Sequence, residues 1–155
     1  MKMLENKPII QGPDVELLFP RIKTARSKGF FASDKQYNTT SINSMQKVLN
    51  TWKLYLTVSR LFKKMVYSQK FDCDNFSDTF MGFAKLFYPA QGIGTVWFSY
   101  MIGKKKLAHA INFFVVWNKN NGHDVFYVEP QTGMMYSMTE MMLKYDKMEM
   151  LYVRI

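Results

Sequence analysis

The sequence is short of thiols and imidazoles, with one cysteine and two histidines in 155 residues. A single cysteine excludes an intramolecular disulfide, so nothing here asks for an oxidising compartment. Without cysteine pairs there is no zinc ribbon or finger either. Acidic residues are also few, 12 against 21 Lys and Arg, which leaves a formal net charge of +9. Such a surface attracts nucleic acid, anionic membrane or an acidic partner without specifying any of them. No apolar run approaches the roughly 20 residues that a membrane-crossing helix needs. The opening stretch from Met1 to Pro8 is polar and has no apolar signal core. The expectation is a protein made and used in a cytoplasm, or packaged from one.

What is present points to a packed globule. Hydrophobic residues make up 48% and aromatics 16%, which excludes a disordered chain. The length suits one domain with a real core. Residues 1–40 read as an irregular basic N-terminal arm, punctuated by Pro8, Gly12, Pro13 and Pro20. Within it Arg21, Lys23, Arg26 and Lys28 form a basic run, read as a solvated loop or a surface for a partner.

From Ser41 the spacing turns helical. Met45, Val48, Leu49, Trp52, Tyr55, Leu56, Ser59, Phe62 and Val66 share one face, with lysines on the others, which predicts a long amphipathic helix over 41–66. Asn43 followed by Gln46 resembles a helix start. A second helix follows Asp72, with Cys73, Phe76, Phe80, Phe83, Ala84 and Phe87 on one face and Pro89 ending it. Three β-rich stretches come next, over 95–102, 107–117 and 124–129, then a short helix within 134–147 and an edge strand at the end. Helices first and a meander after them define an α+β class.

The chemistry gathers around Cys73. Asp72 and Asp74 sit where capping and acidic residues collect at a helix start, which puts Cys73 in the first turn. There the partial positive charge of the helix end favours a thiolate, while the flanking aspartates oppose it. His109 opens an apolar strand and is the better base, whereas His123 lies in a polar loop and reads as solvated. Glu129 and Gln131 follow as orienting groups. The strand pairing decides whether they can meet. A loop centred near Lys119 sets His109 across from Glu129, and one centred on Asn120 sets it across from Gln131 with Glu129 diagonal on the same face. A two-residue Asn121-Gly122 turn, the usual sequence favourite, sends Glu129 to the opposite face. An oxyanion hole needs the Cys73 N–H and a second donor, for which Gln69 and Gln91 are candidates.

The motifs Asp72-Cys73-Asp74-Asn75-Phe76, His109-Ala110-Ile111-Asn112 and Glu129-Pro130-Gln131 resemble the papain-like cysteine peptidase superfamily. They are nearest the C-terminal protease domain of a fungal galactose-binding agglutinin and its small phage-encoded relatives. The resemblance runs from the Cys73 helix to the Gly133 turn and implies a papain-like core spanning residues 41–155, a helix bearing Cys73 on a small antiparallel sheet. It implies Cys73 as nucleophile, His109 as base and Glu129 as the orienting acid. It implies a peptide or protein substrate and a host cytoplasm or virion location. The agglutinin domain depends on calcium, and Asp72, Asp74 and Asp78 are the carboxylates near enough to consider, although their spacing is not a recognised calcium loop. The competing expectation is a non-catalytic structural or interaction protein, such as a phage virion or cargo component, that keeps the fold and docks partners through the basic arm or helix 41–66. Nucleic-acid binding is the third.

Overall fold

The apolar run from Ile111 to Val116 leaves no face of its strand for water, and the fold is built on both of its sides. In the computed structural model the described residues are 9–11, 14–15, 18–19, 30–31, 35–61, 65–68, 71–87, 92–118, 120 and 122–155. The basic run at 21–28, Phe62, Gln69, Pro89 and Gln91 lie outside them.

The strands are β1 (Ile9–Gln11), β2 (Phe30–Phe31), β3 (Gln36–Asn38), β4 (Ile93–Ile102), β5 (Lys105–Asn118), β6 (Gly122–Glu129), β7 (Met134–Ser137) and β8 (Glu149–Arg154). The helices are α1 (Ile42–Leu61), α2 (Cys73–Phe87) and α3 (Met138–Lys144). One sheet runs β2-β8-β4-β5-β6-β7, antiparallel except for the short β2–β8 pair, and β1 pairs with β3 in a small second sheet. The architecture is mixed α+β. Within the stretch 1–40, expected as an irregular arm, the described residues Ile10, Val15, Phe19 and Tyr37 are buried in the core. Long-range pairing of strands this short leaves no local pattern to read.

The sheet separates two cores. On one face α1 and α2 bury Met45, Val48, Leu49, Trp52, Leu56, Phe76, Phe80 and Ala84 against Ile93, Phe114, Val116 and Val128. On the other face Val96, Phe98, Ile111, Phe113, Val115 and Tyr127 pack with the N-terminal segments, Met141, Tyr145 and β8. Each fully buried Phe contributes about 1.5–3 kcal/mol relative to exposure. The expected face of α1 is met at Met45, Val48, Leu49, Trp52, Leu56 and Ser59, but Tyr55 and Val66 are exposed, and residues 62–64 of the expected helix lie outside the described residues. Its start also differs: the Ser41 hydroxyl, not Asn43, accepts from the backbone of Ser44 at 3.1 Å.

One other expectation is corrected, that of an edge position for the last strand, and two are narrowed. Met134–Ser137 is an edge strand, and the helix begins only at Met138, where Ser137 and Glu140 form a reciprocal capping box. The last strand, expected at an edge, lies between β2 and β4. The β5–β6 hairpin pairs Asn118 with Gly122, so the connection is centred on Asn120, and the two-residue Asn121-Gly122 turn is not used. Gly122, at φ 76, takes the left-handed conformation that closes this longer loop.

Candidate active site

Cys73 is placed by the start of α2. The Asp72 carbonyl accepts the first helical bond, from Phe76 N–H at 3.1 Å, which makes Asp72 the cap and Cys73 the first helical residue. Asn75 completes the cap by accepting from the Asp72 N–H through its side-chain oxygen at 3.2 Å. Behind this turn Phe76 and Phe80 are fully buried, so the helix end is fixed on the sheet while Cys73 stays half-buried at the rim.

Asn112 locks the helix to the strands below it. Its buried Nδ2 donates to the Ser77 carbonyl at 2.9 Å, to the Gly94 carbonyl at 3.2 Å and to Thr95 Oγ1 at 3.3 Å. Sequence reasoning gave Asn112 no structural role. A lone polar residue within the otherwise apolar stretch 110–116 of β5 is the signal that it has buried partners.

His109 projects from β5 on the face opposite to Asn112. Its Nε2–H donates to Glu129 Oε2 at 2.7 Å, with side-chain exposures of only 14% and 8%. Register explains the meeting: Asn112 pairs with Val128, so continuing the ladder sets His109 level with Gln131 and Glu129 diagonal to it on the same face. The second carboxylate oxygen of Glu129 accepts from the Gln131 backbone N–H at 3.3 Å. Gln131 therefore supports the carboxylate through its backbone. Its carbonyl accepts from Arg60 at 2.8 Å, and the neighbouring Pro130 carbonyl accepts from buried Trp52 Nε1 at 2.7 Å. Thus α1 pins the turn that carries Glu129.

The Cys73 side chain lies near enough to the His109 ring to raise its pKa. With Nε2 committed to Glu129, Nδ1 is the ring nitrogen left for the sulfur. Burial opposes a charged ring, yet the side chains of Cys73 and Glu129 outweigh it and lift the His109 pKa to about 9. The ring is thus held as an imidazolium against the Glu129 side chain. Phe98 meets it edge-on at 5.6 Å between centroids and Tyr145 lies at 6.1 Å, a wall that keeps water off one side.

The acidic residues beside Cys73 divide by role. The neighbouring Asp72 side chain, with burial, raises the Asp74 carboxyl above its usual value. Asp78 pairs with Arg154. Among the described residues no three His, Cys, Asp or Glu side chains group to hold a metal, and these three aspartates do not converge on a cation site. His123, expected to be solvated, is half-buried against Trp117 with ring centroids 5.1 Å apart, and burial lowers its pKa against the opposing charge of Asp14.

No family model and no curated protein matches the chain. Solved structures do. A PSL1a–E64 complex superposes with a TM-score of 0.63 at 19% identity, covering 97% of this chain and 51% of that one. The likeness is one of fold, and this chain spans about half the length of that structure.

Proposed function

We propose that the chain is a cysteine hydrolase with a papain-like core, in which Cys73, His109 and Glu129 act as a triad on a peptide or related amide or ester. The observation that carries this reading is His109 held at 2.7 Å by a buried carboxylate, with Cys73 at a helix start near enough to raise the pKa of the same ring. An inert core cysteine needs neither partner. The fold shared with a protein in complex with E64 supports the same reading.

The chemistry follows from the ion pair. The sulfur attacks the carbonyl carbon, forming a C–S bond as the carbonyl π pair moves to oxygen. Collapse of that tetrahedral species re-forms the carbonyl and breaks the bond to the leaving amine or alkoxide, which takes the proton from His109. Water then attacks the thioester, giving its proton to His109 as the carboxylic acid and the free sulfur are released. Glu129 keeps the ring oriented throughout and favours its charged form whenever it holds the proton.

A second reading rests on exposed apolar residues of α1 and α2: Leu54, Leu61 and Leu86 are 65%, 77% and 83% exposed. In that reading the fold serves as a docking module and the triad is vestigial. Treatment with E64 followed by mass spectrometry, together with a peptide-library digest, separates the two. A hydrolase carries the adduct on Cys73 and loses about a thousandfold or more of its turnover as Cys73→Ala. No adduct, and equal digestion by both proteins, removes the hydrolase reading and leaves the docking one.

A further inference from the structure

Past His109 the β4–β5 hairpin runs on beyond its neighbouring strands, and we propose that its lysine-rich tip recognises the substrate, taking an acidic stretch of peptide about four residues from the bond that is cut. The inference rests on the hydrolase reading and names a substrate class for it.

The register sets out this arm. β4 and β5 stay paired as far as Ile102 and Lys105, whereas the pairing of β8 with β4 reaches only to Ser99 and that of β6 with β5 only to Asn112. Residues 102–108 are all exposed, and Gly103, at φ 58, closes the tip. The Met101 N–H donates to the Asp146 carbonyl at 2.9 Å, which fixes the arm against the segment after α3.

One face of the arm is continuous with the site. Phe98 pairs with His109, Tyr100 with Leu107 and Ile102 with Lys105, and strand alternation puts all of these side chains on the same side. Ring contacts agree: Phe98 lies 5.6 Å from His109, and Tyr145 lies against both His109 and Tyr100. Lys105 therefore stands on the imidazole side of β5, about 13 Å along the strand from His109. An extended peptide crossing the site rises at the same rate, which sets the spacing of the acidic residue.

The charges give the site a direction. Lys104, Lys105 and Lys106 are consecutive. Lys106 is taken by Glu149 at 2.9 Å, while among the described residues no carboxylate pairs with Lys104 or Lys105. Asp72 and Asp74 flank Cys73 on the α2 side. The two sides of the sulfur and imidazole thus carry opposite charge, which favours a substrate that is acidic toward the arm and not toward α2.

The test compares the wild type with the double variant Lys104→Glu with Lys105→Glu. Digests of a peptide library are read by mass spectrometry, and hydrolysis of p-nitrophenyl acetate, too small to reach the arm, is the control. The expected result is cleavage by the wild type at sites enriched in Asp and Glu on one side, a preference that turns to Lys and Arg in the variant. For an acidic peptide kcat/KM falls roughly tenfold through KM, with ester hydrolysis unchanged. The same cleavage pattern in both proteins overturns the assignment and leaves the triad intact. So does an unchanged pattern with lost binding to phosphatidylserine vesicles or DNA, which gives the lysines to a different partner. An equal fall in ester and peptide turnover overturns it too, since the hairpin then acts on His109 and not on the substrate. A wild-type protein with no turnover and no E64 adduct on Cys73 overturns the hydrolase reading and the arm with it.

Discussion

Glu129 uses its two carboxylate oxygens for different tasks: Oε2 accepts from His109 Nε2 at 2.7 Å, and Oε1 accepts from the Gln131 backbone at 3.3 Å. The imidazole is therefore tied to a turn, and the turn is tied to α1 through Trp52 and Arg60. A displacement of the helix layer reaches the base through this path. Replacing Glu129 with Gln keeps an acceptor of nearly the same shape but removes the charge that helps hold the ring as an imidazolium. The expected outcome is a ten- to hundredfold loss in kcat/KM, on the order of 1–3 kcal/mol, together with an alkaline limit of activity that moves toward neutrality. An unchanged pH profile for Glu129→Gln means that the carboxylate neither charges nor orients the ring.

The same contact makes stability depend on pH. In the folded protein the His109 proton is held to about pH 9, whereas an unperturbed imidazole releases it near 6.5. Between these values the folded state binds more protons than the unfolded chain, so stability falls as pH rises through that window and is complete below it. The amount is on the order of 2–3 kcal/mol. Urea unfolding at pH 6 and pH 9.5 measures it, and the difference shrinks in Glu129→Gln.

Much of this fold is written locally. The spacing of Phe76, Phe80 and Ala84 marks the buried face of α2, and Asp72 with Asp74 marks its start, while the Asn75 side chain that accepts from the Asp72 N–H was not foreseen. The pairing of His109 with Glu129 was legible only as one of several registers, because the choice depends on how many residues the loop before Gly122 contains and on the positive φ of that glycine. Contacts between distant segments left no signal. Nothing periodic announces that β1 pairs with β3 or that Phe19 packs edge-on against Phe113 at 4.9 Å.

Asn112 offers a test of how the nucleophile is positioned. It is fully buried, and its single amide nitrogen reaches α2 and β4 together. Asn112→Ala removes these bonds and leaves buried acceptors behind, with an expected cost of about 1–3 kcal/mol. The start of α2 is then less firmly held over the strand bearing His109. Alkylation of Cys73 at pH 6 should slow more than the stability loss alone explains, because a looser imidazolium protects less thiolate. A variant as reactive as the wild type but less stable confines Asn112 to a structural role.

Gly94 carries the last prediction, at the point where three strands meet. It pairs with Phe113 on β5, and β8 runs along the other side of β4. A methyl group built there falls 2.5 and 2.6 Å from two ring carbons of Phe113 and also collides with the Arg154 carbonyl. Neither neighbour can yield cheaply: Phe113 is fully buried, and the Arg154 carbonyl belongs to the β8 backbone. Gly94→Ala should therefore destabilise by at least about 2 kcal/mol, an overpacking cost, although alanine ordinarily gains over glycine by stiffening the unfolded chain. By contrast Gly82 in α2 has open space around it, so Gly82→Ala should stabilise by about 0.5–1 kcal/mol through helix propensity. Urea denaturation of the two variants side by side gives opposite signs if the packing at the β4–β5–β8 junction is as described. If Gly94→Ala is neutral, β8 does not lie against β4 at this register.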